Sequence, residues 1–69
     1  MTSDELKITL ALLGYTDASL NYPPHWIMSS NKYAVNYICN ADQEPYIILA
    51  GMGSEYQFST PEDVLEFVT

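Results

Sequence analysis

The chain has almost no positive charge. Two lysines, Lys7 and Lys32, stand against nine acids, giving a net charge of −7 at neutral pH, and no arginine occurs in 69 residues. So few bases argue against direct binding to nucleic acid or to an anionic membrane, both of which require basic patches. Cysteine is equally scarce: Cys39 alone cannot form an internal disulfide, so no covalent staple is expected. Histidine occurs once, at His25, and one His with one Cys cannot build a zinc site within a single chain. Long apolar runs are missing too. The opening stretch "MTSDELKITLALLGY" is broken by Lys7 and Thr9, stops at Gly14, and carries acids where a secretory signal carries positive charge. A reducing, cytoplasmic setting is the expectation. With no repeat, low-complexity tract or linker, the chain reads as one small domain over residues 1–69.

What is present is apolar and aromatic. Hydrophobic residues make up 48% of the chain, with six Tyr, two Phe and one Trp, which excludes a disordered polymer. A domain of this size buries only roughly 60% of the surface exposed by its unfolded chain, so a partner or a second copy would compensate for a small core.

The pattern along the chain predicts an α+β fold of order α-β-β-β-α, a three-stranded antiparallel meander with an N-terminal and a C-terminal helix packed on one face. Residues 3–13 have helical spacing, with Thr2 and Glu5 as a capping box and Gly14 as the left-handed stop. Leu6, Leu10 and Leu13 form the expected core stripe. Ile8 and Leu12 lie on the other side, continued by Tyr15, and offer a second apolar face. Residues 16–25 read as connector, in which Tyr22-Pro23-Pro24 imposes an extended approach. "HWIM" reads as a short edge strand. "KYAVNYICN" alternates, with Tyr33, Val35, Tyr37 and Cys39 on one face, and "YIILAGM" suits a central strand. Gly51 and Gly53 bracket a turn, and "EYQFS" alternates with Tyr56 and Phe58 inward. In "STPEDVLEFVT", Thr60 is an N-cap, Pro61 the first helical residue, and Glu62 and Asp63 complement the helix dipole.

Nothing in this pattern points to catalysis. Cys39 lies in an apolar alternation, and His25 is the one histidine that could activate it. "DQE" at 42–44 lacks the spacing and glycine of a calcium loop, and "GMGS" at 51–54 lacks the lysine of a phosphate loop. No catalytic residue, metal or cofactor is expected. The sharper feature is the charge distribution. Residues 1–35 carry a net −1, whereas residues 36–69 carry −6 with no base at all. Four acids (Asp4, Glu5, Glu62 and Asp63) have helix-capping reasons. Asp42, Glu44, Glu55 and Glu66 do not, and they are the candidate partner-binding surface; the alternative is a solvated face that keeps the protein soluble. Trp26, behind two prolines, joins Ile8, Leu12 and Tyr15 as a candidate interface residue, its alternative role being closure of the core.

The length, the charge asymmetry and the ending "EYQFSTPEDVLEFV", a strand running into a short capped helix, resemble small acidic phage or mobile-element proteins that disarm host machinery, including anti-CRISPR and anti-restriction proteins. The resemblance is one of general character and carries over no functional residue. It implies a non-enzymatic inhibitor of a host protein in the host cytoplasm, acting in some such proteins by DNA mimicry and in others through apolar or mixed surfaces; the charge balance adds the expectation of a basic, nucleic-acid-handling partner. The other expectation is a small structural or regulatory module that self-associates, as a homodimer, through the Ile8/Leu12 face.

Overall fold

The computed structural model describes residues 1–19 and 25–69. The extended Tyr22-Pro23-Pro24 approach lies outside the described residues. The elements run α1 (Ser3–Leu12), β1 (Thr16–Asp17), β2 (Trp26–Ser29), β3 (Tyr33–Ile38), β4 (Tyr46–Gly51), β5 (Ser54–Phe58) and α2 (Pro61–Val68). The α+β class is as expected, but the meander has five strands rather than three, all antiparallel and ordered β1-β2-β3-β4-β5. The two additional strands flank or extend a reading based on alternation. β1 is two residues long and shows no pattern of its own; it exists because Thr16 and Asp17 pair with Ser29 and Met28. That pairing makes β2 an interior strand, not the edge that "HWIM" suggested.

Both helices begin as their sequences dictate. Thr2 Oγ1 accepts from the Glu5 amide at 3.2 Å while Glu5 Oε1 accepts from the Thr2 amide at 2.9 Å, closing the reciprocal box. Thr60 Oγ1 accepts from the Asp63 amide at 3.3 Å behind Pro61. α1 ends one residue earlier than its spacing predicts. Gly14, at φ 101°, lets the Tyr15 amide reach the Leu10 carbonyl at 3.0 Å and the Gly14 amide reach that of Ala11 at 3.1 Å, the paired bonds of a Schellman stop. This turn delivers the chain directly into β1.

The core lies between the helices and one face of the sheet. Leu6 and Leu10 of α1 and Val64 of α2 meet Trp26, Met28, Val35, Ile47 and Leu49, with Tyr15, Tyr33, Tyr37 and Phe58 packed around them. Leu13 is half-exposed instead of completing the core stripe, because the helix has already stopped at that position. The opposite sheet face follows from the register: Ile27, Asn36, Ile48 and Gln57 form one cross-strand row, and Ile38 and Tyr46 another. Among the described residues, no helix or strand covers it.

β4 and β5 are joined by a two-residue turn, Met52–Gly53, with φ of 53° and 79°. Both residues are left-handed, the geometry that matches strand twist in a tight hairpin. Gly51 has a different reason to be glycine: a Cβ there would collide with the Lys32 carbonyl and lie 2.6 Å from Tyr33 Cδ1.

Candidate partner-binding surfaces

Trp26 leaves the candidate interface. It is 5% exposed, stacks on Tyr37 with ring centroids 5.6 Å apart, and closes one end of the core. Its indole Nε1 has no hydrogen-bond partner among the described residues. Alternation could have placed it, since Trp26 and Met28 share the parity of the core face of β2. Tyr15 is half-buried against the core and offers only a rim. Ile8 and Leu12, in contrast, are 62% and 84% exposed and do form an uncovered apolar face on α1.

The four acids assigned to a binding surface do not come together. Asp42 lies in the β3–β4 turn, and Glu44 follows it. Glu55 sits opposite Ala50 on β5, facing away from the helices. Glu66 lies on α2 beside Phe58, Asp63 and Phe67. What the fold gathers is a different set. A shallow hollow at one end is lined by Met1 and Ser3 at the start of α1, Pro61 at the start of α2, and Glu44 with Pro45 from the β3–β4 turn. Both helices therefore start at this end, and each brings two acids in its first turn: Asp4 and Glu5, Glu62 and Asp63. The helix starts that carry these acids thus lie at the same end as Glu44, the one acid that lines the hollow itself. Such convergence depends on tertiary placement and has no signature in the linear chain.

Electrostatics at this end are mixed. The Met1 amino group pairs with Glu62 at 2.9 Å, and that hydrogen bond raises the amine's pKa and lowers the carboxyl's. Hydrogen bonds from Thr2 hold Glu5 below the usual carboxylate range, against the opposing charge of Glu62. Neither lysine is here. Lys7 pairs with Asp17 at 3.1 Å, and Lys32 lies at the other end with Gly14 and Thr69, where the helices finish. The molecule is acidic where its helices begin.

The His25 Nε2–H donates to the Cys39 carbonyl at 2.6 Å, so the histidine is bonded to main chain and not to the thiol. Cys39 is half-buried, less than its alternation suggested. Among the described residues, no group of three or more His, Cys, Asp or Glu could hold a metal ion. Among the same residues, no helix is long and apolar enough to cross a membrane. A cavity of about 290 Å³ lies beside Ser19, His25, Trp26, Ile27, Asn36 and Ile38, almost wholly apolar.

No family model matches the chain, and no curated protein or solved structure is similar to it.

A third surface escaped the sequence reading. Phe67 of α2 is 40% exposed and makes ring contacts with Tyr56 at 4.7 Å, Phe58 at 5.6 Å and Tyr33 at 5.8 Å. The Tyr33 hydroxyl donates to Met52 Sδ at 3.8 Å, so Met52, itself 77% exposed, extends the same patch. Phe58 is half-buried as the alternation of β5 suggested, but Tyr56, expected inward, is 40% exposed because only the ring of Phe67 lies against it, and that meeting was not legible.

Proposed function

We propose that the chain is a non-enzymatic binding protein that inhibits another protein by occupying its basic, nucleic-acid-handling surface. The observation that supports this reading most is the gathering of Glu44 with the acidic first turns of α1 and α2 at one end, with both lysines elsewhere. An anionic end of this kind competes with phosphates for a basic groove, because both pair with the same cationic side chains. Such an encounter is steered by charge and weakens as salt screens exposed groups beyond about 8–10 Å. The acting location on this reading is the cytoplasm of a host cell.

The test begins with a tagged protein used to capture its partner from host lysate, the partner being identified by mass spectrometry and purified. Duplex DNA should then displace the tagged protein from that partner, and neutralising Asp4, Glu44 and Asp63 together should weaken binding about tenfold or more. Binding indifferent to salt, to duplex and to these substitutions would remove the reading.

The exposed pair Ile8 and Leu12 supports a second reading, self-association through α1. On that reading the protein scatters light as a dimer at micromolar concentration, and Ile8→Asp with Leu12→Asp yields a folded monomer. A wild-type monomer at high concentration would dispose of it.

A further inference from the structure

β5 is the last strand of the sheet, and only its β4 side is paired among the described strands. The hairpin geometry fixes which of its backbone groups remain free. A two-residue turn makes its flanking pair, Gly51 and Ser54, a mutually hydrogen-bonded pair, and such pairs then alternate along an antiparallel ladder. Ser54, Tyr56 and Phe58 therefore bond inward to β4. The amides and carbonyls of Glu55 and Gln57 point outward along the free edge. Apart from Glu55, the side chains and backbone features that protect an edge are missing: the strand "SEYQF" contains no proline and no lysine, and its register with β4 runs from Phe58 to Ser54 without a bulge.

The side chains around this edge are apolar and acidic. Toward the helices, an added strand would lie beside Tyr56 and Phe67, with Met52 at the turn. Met52 holds a left-handed backbone that asparagine or glycine would hold at lower cost, while presenting a thioether to solvent beside Tyr33. Asp63 and Glu66 line the hollow that Phe58 and Phe67 share, and Glu55 occupies the other face of the strand. No lysine or arginine occurs after Lys32.

We infer that the β5 edge is a docking site for an extended segment of a partner protein in which apolar and basic residues alternate, added as a sixth strand. Its main chain bonds to Glu55 and Gln57, its apolar side chains cover Tyr56 and Phe67 on the helix face, and its basic side chains, on the opposite face, meet Glu55. A second copy of this chain is the poorer occupant, because it would bring its own acids against these without a compensating base. The inference rests on the reading of the protein as a binder of basic surfaces, and specifies how one such partner is held.

The test uses the whole protein with a synthetic capped peptide that alternates valine and lysine, and a valine–glutamate peptide as its counterpart. With the lysine peptide at millimolar concentration, hydrogen exchange of the Glu55 and Gln57 amides should slow about tenfold or more, while the glutamate peptide leaves them unchanged. Gln57→Pro deletes an outward amide without touching a β4 bond and should abolish the protection. Should that variant fail to fold, chemical synthesis of the chain with an N-methyl group on the Gln57 amide removes the same donor. Unchanged exchange at Glu55 and Gln57, equal protection by both peptides, or protection that survives loss of the Gln57 amide would each overturn the inference. Protection that appears without peptide as protein concentration rises would assign the edge to a second copy and overturn it as well. A partner whose binding falls on acid neutralisation but not on loss of the Gln57 amide would leave the proposed function standing and remove the edge. Loss of both responses would remove the two together.

Discussion

The β1 edge of the sheet is two residues long and tied at each side chain, whereas the β5 edge is five residues long and free along its outward amides. Asp17 accepts from the Ser19 amide at 2.8 Å and pairs with Lys7 at 3.1 Å. Ser19 in turn accepts from the Ile27 amide at 2.9 Å, so Ser19, past the end of β1, is held to β2 by its side chain and not by a continued ladder. Here a short strand, a charge pair and a turn prevent further pairing. At β5 the chain spends neither of its lysines and instead places aromatic rings beside the exposed backbone. The same fold thus closes one edge with polar chemistry and leaves the other available. An uncovered edge is an aggregation hazard in a solitary domain, so its persistence argues for use.

The largest expected effect on this contrast comes from Gly51→Ala. A Cβ at this position meets the Lys32 carbonyl and Tyr33, so β4 must shift from β3 and take β5 with it. Thermal unfolding should show a loss on the order of 1–3 kcal/mol, and an unchanged midpoint would mean that the two strands are less tightly apposed than described. Phe67→Ala comes next. It removes three ring contacts over β5 but only a partly exposed side chain, so the expected loss is about 1–2 kcal/mol, with faster amide exchange in β5 than in β2. Equal acceleration in both strands would indicate a general core defect and erase the asymmetry.

Met52→Asn acts in the opposite direction. Relief of the left-handed backbone should stabilise the hairpin by up to about 1 kcal/mol while weakening capture of the valine–lysine peptide. Stabilisation with undiminished capture would confine Met52 to the turn. The smallest effect belongs to Asp17→Asn. Hydrogen bonds from Ser19, and then the Lys7 partner, lower the Asp17 pKa from 3.8 to about 2. The folded state thus binds this proton more weakly than the unfolded state, so the contribution is fully present above 3.8 and is lost as pH falls through about 2. Wild type and variant should differ slightly in melting temperature near neutral pH and converge in strong acid. A difference that grows on acidification would contradict the assignment.

Local chemistry was legible in the sequence, and distant meetings were not. Thr2, Glu5, Gly14, Thr60 and Pro61 signal their caps because capping depends on residues three or four apart. Gly51 and Gly53 announced the hairpin for the same reason. β1 was invisible because two residues carry no periodicity and their strand character is supplied by β2. The edge assignment of "HWIM" failed with it. The position of Trp26 was recoverable from parity with Met28, but a run of three apolar residues hides which face is covered. The approach of Glu44 to both helix starts was not legible, because it depends on the placement of two helices and a turn that are distant in the chain.

Strand order that follows chain order has a kinetic consequence. Each strand pairs with its predecessor, so no strand must wait for a remote segment before entering the sheet. Contacts of short sequence separation lower the entropy cost of the folding barrier, and refolding is expected to complete within milliseconds to tens of milliseconds. During synthesis, β4 is itself the outermost strand until β5 emerges, and the β5 edge becomes available only once Ser54–Phe58 have been made and paired.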